Sequence, residues 1–104
     1  MAIKTVTQSF VTNKGVVEGV RLEWDTFSLL LVSAPRGFLV CGIFDLEAIN
    51  LYGRAAAIVE GSPDNPIGTL DRFMERKITA LNAQAQEMGV CVGMSVRSAL
   101  EAMF

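Results

Sequence analysis

The chain contains no histidine, and its two cysteines stand far apart, at positions 41 and 91. Structural zinc sites need a cluster of cysteine and histidine ligands at short spacings, so no zinc site is expected. Two distant thiols also form no disulfide framework, and the reduced, partly buried thiol is the simpler interpretation of each. We therefore expect neither a metal nor a cofactor.

Charged residues are also scarce, at 19% of the chain, and the net charge is −2. Lysine and arginine are scattered, and no basic run could neutralise a line of phosphates, so nucleic acid is not an expected partner. The longest apolar stretch, around residues 29–32, is far shorter than the roughly 20 residues of a membrane span. The first residues, MAIKTVTQSF, have no signal-peptide core. A soluble, cytoplasmic protein that binds no membrane is expected.

Apolar residues, in contrast, make up 51% of only 104 residues. This length favours one domain over residues 1–104. A domain of this size has a high ratio of surface to volume and cannot hide so much apolar area alone. We expect a homo-oligomer whose number of subunits stays open, with a small molecule or a protein as a further candidate partner.

The first half of the chain predicts four strands. The β-branched segment IKTVTQSFVT precedes NKGVV, where Asn13 and Gly15 suit a hairpin loop. In VVEGVRLEW the even positions Val16, Val20, Leu22 and Trp24 are apolar, while Arg21 and Glu23 face the other way, which predicts a strand with one face exposed to solvent. After a turn at Asp25 and Thr26, the segments FSLLLVSA and FLVCGIF are apolar on both faces. They predict two central strands covered on both sides.

The second half predicts one more strand and the helices. Asp45 is expected to cap a short helix over residues 45–52, and RAAAIVE predicts a fifth strand. Apolar residues at three- and four-residue steps predict helix over residues 69–88, as one helix or as two, and a last helix over residues 94–103. The predicted fold is an α+β domain with a mainly antiparallel sheet of about five strands and helices packed on it.

Several short segments, in order, resemble the YunC-like family of bacterial and archaeal proteins, a domain of unknown function. They are LLLVSAPRGFLVCG, the Asp45 after it, GRAAA at 53–57, Gly61, and MGVCVGMSVRSALEAM at 88–103. Together they span about two thirds of the chain. The resemblance implies a small α+β domain, and it brings no assigned activity, cofactor or catalytic residue.

Cys41 is the first candidate for chemistry. Its apolar neighbours favour a buried, unreactive small side chain. The alternative is a functional thiol, because Cys41 precedes the N-terminus of a predicted helix that Asp45 and Arg54 flank. Without histidine the usual general base is missing, so no catalytic residue is assigned.

The other candidates are polar or charged. Asp45 is an N-cap or a general base, and Arg54 forms an interface salt bridge or holds a carboxylate ligand. Arg97, in the first turn of the last predicted helix, is a surface charge or a second ligand contact. Cys41, Asp45, Arg54 and Arg97 are thus the candidate binding residues.

Two functions are consistent with these residues. The favoured one is a non-enzymatic oligomeric module that binds a small ligand or a partner protein. The alternative is a thiol-dependent enzyme or redox sensor that uses Cys41, with Asp45 and Arg54 orienting an anionic substrate. For the module, the expected subunit contacts come from the two apolar strands, and they are Phe27, Leu29, Leu31, Phe38 and Val40.

Overall fold

The six strands of the sheet lie side by side in the order in which they occur along the chain. The computed structural model describes residues 2–25, 27–62, 64 and 66–104. All neighbouring strands are antiparallel except β4 and β5, which are parallel. The predicted α+β fold with a mainly antiparallel sheet is confirmed, and a two-residue sixth strand adds to the five expected. The strands are β1 (Lys4–Val11), β2 (Val16–Trp24), β3 (Phe27–Ala34), β4 (Gly37–Cys41), β5 (Ala55–Val59) and β6 (Ala80–Leu81).

Four short helices connect and cover the strands. They are α1 (Leu46–Asn50), α2 (Leu70–Met74), α3 (Ala83–Glu87) and α4 (Val96–Ala102). Each begins after a residue whose side chain accepts a hydrogen bond from a backbone N–H of the first turn, which satisfies a donor that the helix itself leaves unpaired. The four capping residues are Asp45, Thr69, Asn82 and Ser95.

The helix predicted over residues 69–88 is interrupted, so a single helix is wrong. Between α2 and α3, the N–H of Ile78 donates to the carbonyl of Met94 (2.8 Å) and that of Thr79 to the carbonyl of Ile58 (2.9 Å). The backbone of this segment therefore pairs with neighbouring segments instead of with its own preceding turn. The β-branched side chains at 78 and 79 suit this extended conformation.

The turns also differ in detail from the prediction. Gly15 adopts a positive φ of 147° in the β1–β2 turn, whereas Asn13 does not. In the next turn Asp25 has a φ of 52°. Thr26 lies outside the described residues, as do positions 63 and 65 of the predicted loop.

One face of the sheet, which we call the helical face, carries the main core. Every second residue of the strands faces this side, and α2, α3 and α4 each contribute buried side chains to the same hydrophobic core. Large fully buried members include Val32, Leu39, Phe73, Leu100 and Met103. Burial of such side chains is the main stabilising contribution in a domain of this size.

The second face of the sheet is covered only in part. Helix α1 packs against β5, and Val40, Ala56 and Ile58 are buried although they lie outside the main core cluster. A five-residue helix is only about 7.5 Å long and spans roughly two strands. The apolar residues of β2 and β3 beyond its reach are partly or fully exposed, and we call them the open face: Val20, Leu22, Trp24, Phe27, Leu29 and Leu31.

Two expectations about the faces need correction. The expected double cover holds for most of β4, but not for β3, where Leu29 and Leu31 stay partly exposed. In β2 the apolar even positions lie on the open face, while Arg21 and Glu23 alternate with them on the helical face. This charged pair lies at the far end of β2, where its side chains keep 24% and 32% of their surface exposed.

In the described part of the chain, no helix has both the length and the hydrophobicity that a membrane span requires.

Candidate functional site

Cys41 ends β4 and lines a cavity of about 350 Å³. The residue is 8% exposed, and its Sγ accepts a hydrogen bond from the N–H of Leu30 at 3.5 Å. The other walls are Ser28, Gly42 and the segment that contains Gly61, Ser62 and residues 66–68. Cys41 is thus buried, as expected, and borders a cavity. Cys91 is exposed.

Asp45 and Arg54 do not join Cys41 in this cavity. Asp45 caps α1, and its Oδ1 accepts a hydrogen bond from the N–H of Glu47 at 3.0 Å. In the parallel register Cys41 pairs with Val59 and Gly37 with Ala55, so Arg54 lies beyond the opposite end of the β4–β5 pair. With about 3.3 Å per residue, the two ends are roughly 13 Å apart. The constellation that the thiol hypothesis requires is therefore not assembled.

Arg54 instead lines a second cavity, of about 190 Å³, at the end of the sheet where β3 turns into β4. The rest of its lining is the turn segment 33–38, which includes Ser33, Arg36 and Phe38. Arg36 was not among the candidate residues predicted from the sequence. The only indication of Arg36 in the sequence was its position in the segment APRG, which precedes a strand that was expected to be central.

Arg97 lies apart from both cavities. It is exposed in the first turn of α4, and its Nη1 donates to the carbonyl of Val11 at 3.3 Å. This bond connects the helix to the end of β1. Arg97 therefore contributes a contact between α4 and β1.

A third concave surface lies on the open face. A groove of about 200 Å³ is lined by Val20, Leu22, Leu29 and Leu31, with Phe44 at one side. Its side chains are all apolar. The sequence predicted that Phe27, Leu29 and Leu31 are available for contacts between subunits, but not that β2 would contribute half of the open face.

Within the described residues, no group of three or more cysteine, aspartate and glutamate side chains is arranged to hold a metal ion.

Comparison with known proteins assigns the family. The model of a family described as a domain of unknown function, DUF1805, matches residues 40–103, more than half of the chain. The chain belongs to the DUF1805 family. The match includes Cys41 at the end of β4 and the C-terminal helix with Arg97, so these candidate residues lie inside the DUF1805 region. Arg54 lies there too, whereas Arg36 and the open face precede it.

One relative agrees with this assignment, and one solved structure has a similar fold. The DUF1805 chain is 28% identical over 91 residues to the uncharacterized protein YunC of Bacillus subtilis (strain 168), which covers 78% of this chain and 89% of that protein. The YunC-like resemblance is thereby confirmed. A crystal structure of a protein of unknown function, TA1206 from Thermoplasma acidophilum, matches 100% of this chain and 97% of that one with a TM-score of 0.85 and 21% identity. That likeness shows the fold alone.

Proposed function

We propose that this DUF1805 protein is a non-enzymatic binding module that forms a homo-oligomer through its open face. The observation that carries the proposal is the apolar groove between β2, β3 and Phe44. The six apolar side chains of the open face remain accessible on two adjacent strands, and four of them line the groove, although most of the opposite face of these strands is packed under helices. Water contact with such a surface is unfavourable by about 25 cal/mol per Å² of apolar area.

A second copy of the chain is the occupant that this surface fits best. The register places Val20 opposite Leu31 and Leu22 opposite Leu29, so the patch is continuous across the two strands. Beside it on β1, Thr5 and Thr7 are exposed and pair with Leu22 and Val20. An apolar centre with a polar rim is the usual anatomy of a subunit interface. Two identical patches can face each other about a twofold axis, so that each copy covers the other.

The non-enzymatic part of the proposal is supported by how the candidate residues are distributed. Cys41, Arg54 and Arg97 occupy three separate places, and Asp45 is used as a helix cap. General acid–base or nucleophilic catalysis needs a nucleophile and its base within hydrogen-bond reach. The arrangement therefore favours binding over catalysis.

Light scattering at micromolar concentration tests the oligomer. The wild-type protein is expected to have a mass above that of one chain, and Leu31→Asp, which places a charge in the groove, is expected to reduce the mass to one chain. The matched control is Val92→Asp. Val92 is also an exposed apolar residue (63%), but it lies between α3 and α4. Its substitution should leave the mass unchanged.

A wild-type monomer at this concentration overturns the oligomer proposal, as does a folded Leu31→Asp variant with the wild-type mass. Circular dichroism establishes whether each variant is folded. If Leu31→Asp unfolds, Phe27→Asp replaces it, because Phe27 is 39% exposed at the margin of the open face and contributes less to the fold of one chain.

A second candidate function, a thiol-dependent enzyme or redox sensor, is supported by the single observation that Cys41 borders a cavity of about 350 Å³. Titration with a thiol reagent separates the two candidates, and the exposed Cys91 provides an internal reference. The binding module predicts fast modification of Cys91 and slow modification of Cys41 that accelerates in denaturant. Rapid modification of Cys41 in the native Cys91→Ser protein would favour the thiol function instead.

A further inference from the structure

The cavity of about 190 Å³ at the end of the sheet brings two arginines to one wall. We propose that this cavity binds a small molecule through an oxyanion group, a phosphate or a carboxylate, held between Arg36 and Arg54. The proposal names the ligand class of the binding module and rests on that proposed function, but it does not require the oligomer.

The strand register places the two arginines next to each other. Gly37 pairs with Ala55 across β4 and β5, and each arginine immediately precedes its member of that pair. Both arginines are exposed. Like charges at adjacent positions of neighbouring strands repel each other. An anion bound between the two guanidinium groups attracts both and offsets this repulsion.

Backbone contacts hold both arginines in position and leave their guanidinium groups largely available. The N–H of Arg36 donates to the carbonyl of Met103 (2.8 Å), and its Nη2 makes only a long contact of 3.5 Å with the carbonyl of Ala102. The carbonyl of Arg54 accepts from Nδ2 of Asn82 at 2.7 Å. A guanidinium carries five N–H donors, so most donors of each arginine remain for a ligand.

No described carboxylate neutralises either arginine. The one ion pair among the described residues is formed elsewhere, between Arg21 and Glu23. Glu18 is opposite Ser33 in the sheet, but its Oε1 accepts from the hydroxyl of Ser9 (2.8 Å) on the side away from the cavity. Glu101, next to Ala102, accepts from the N–H of Asn13 at 2.7 Å. Both of these carboxylates therefore have partners away from the cavity.

The chemistry of the lining defines the ligand class. Planar guanidinium groups form paired, charge-assisted hydrogen bonds with carboxylates and phosphates. Ser33 adds a hydroxyl, and the rings of Pro35 and Phe38 provide an apolar edge. The space admits a phosphate or a short carboxylate, and a larger ligand would extend along the second face of the sheet, on which Phe38 lies.

Nuclear magnetic resonance of the ¹⁵N-labelled full chain tests the site with two probes, inorganic phosphate and succinate. We expect saturable shifts of the backbone amides of Arg36, Gly37, Arg54 and Ala55 at millimolar probe concentration. The substitution Arg54→Gln removes a charge-assisted hydrogen bond to the anion and should therefore weaken binding about tenfold or more. Arg36→Gln should do the same. The control is Arg72→Gln, an equal change of charge at an exposed residue of α2.

Each outcome has a defined meaning. Saturable binding of phosphate alone, of succinate alone or of both supports the site and identifies the group it prefers. Absence of saturable shifts for both probes overturns the proposal, and so does an equal loss of affinity in Arg72→Gln, which would indicate attraction to overall charge. Light scattering of the same samples keeps the two proposals apart, because a monomer that binds the anion contradicts only the oligomer, and an oligomer that binds neither probe contradicts only this site.

Discussion

Asn82 donates through Nδ2 to the backbone carbonyl of Arg54 at 2.7 Å. This bond holds the backbone of Arg54, one of the two arginines of the proposed anion site, beside the edge of the sheet. The same side chain accepts through Oδ1 from the N–H groups of Ala56 (3.1 Å) and Ala85 (3.0 Å). The side-chain amide of Asn82 therefore continues the hydrogen bonding of β5 beyond the two residues of β6, and it also caps α3. Asn82 is the one buried polar side chain among the described residues.

We expect Asn82→Ala to lower the free energy of unfolding by about 2 kcal/mol or more, because it leaves buried backbone groups of β5 without partners. Ser95→Ala is the control. Ser95 caps α4 at the surface and serves one backbone N–H, so its loss should cost about 1 kcal/mol. Urea unfolding of both variants measures the difference, and equal losses would show that Asn82 acts only as a cap.

Most of the strands and two of the helices could be predicted from the sequence. The β-branched, alternating and apolar segments predicted β1 to β5. The cap Asp45 predicted α1, and the apolar periodicity of residues 94–103 predicted α4. Local periodicity was misleading between α2 and α3, where the backbone pairs with Ile58 and Met94 across the fold. Such long-range pairing leaves no local signal.

The candidate site was less predictable for a similar reason. Arg54 was recognised as a ligand-binding candidate, but its partner Arg36 was not, since their proximity follows from the parallel register of β4 and β5. A parallel register depends on how the crossover containing α1 packs. The apolar residues of β2 were recognised as one face of a strand. Which face the helices cover is decided by the lengths and connections of the helices, not by the strand itself.

The contact between β4 and α4 gives a second prediction. A Cβ at Gly37 would lie 2.8 Å from Sδ of Met103 and 2.9 Å from the carbonyl oxygen of Ala55. The Met103 side chain can move, but the carbonyl belongs to the adjacent strand. We expect Gly37→Ala to destabilise the fold by about 2 kcal/mol through overpacking.

Gly53→Ala separates this steric effect from conformational strain. Nothing lies within 4 Å of a Cβ at Gly53, but its φ is +69°. The cost there should be only about 1 kcal/mol, the strain of a left-handed conformation. Thermal and urea unfolding compare the variants, and a Gly37→Ala protein as stable as the wild type would show that the β4–β5 contact relaxes freely.

A third prediction concerns Cys41. Replacement by serine places a more polar hydroxyl group where the buried Sγ now accepts only a weak bond from the N–H of Leu30, at 3.5 Å. We expect Cys41→Ser to cost about 1 to 3 kcal/mol of stability and to leave anion binding unchanged. Cys91→Ser, at an exposed site, should change stability by less than about 0.5 kcal/mol. Loss of binding in a Cys41→Ser protein with unchanged stability would instead assign Cys41 to the ligand site.

The last prediction links the open face to stability. If two copies bury their open faces against each other, dissociation accompanies unfolding, and mass action raises the melting temperature with protein concentration. The wild-type melting temperature is therefore expected to rise over a hundredfold increase in concentration, whereas that of a folded Leu31→Asp variant should stay constant. Val92→Asp should follow the wild type, because its site lies away from the groove. Differential scanning calorimetry at several concentrations measures this dependence, and a wild-type melting temperature that does not change with concentration would show that the open face remains in contact with water.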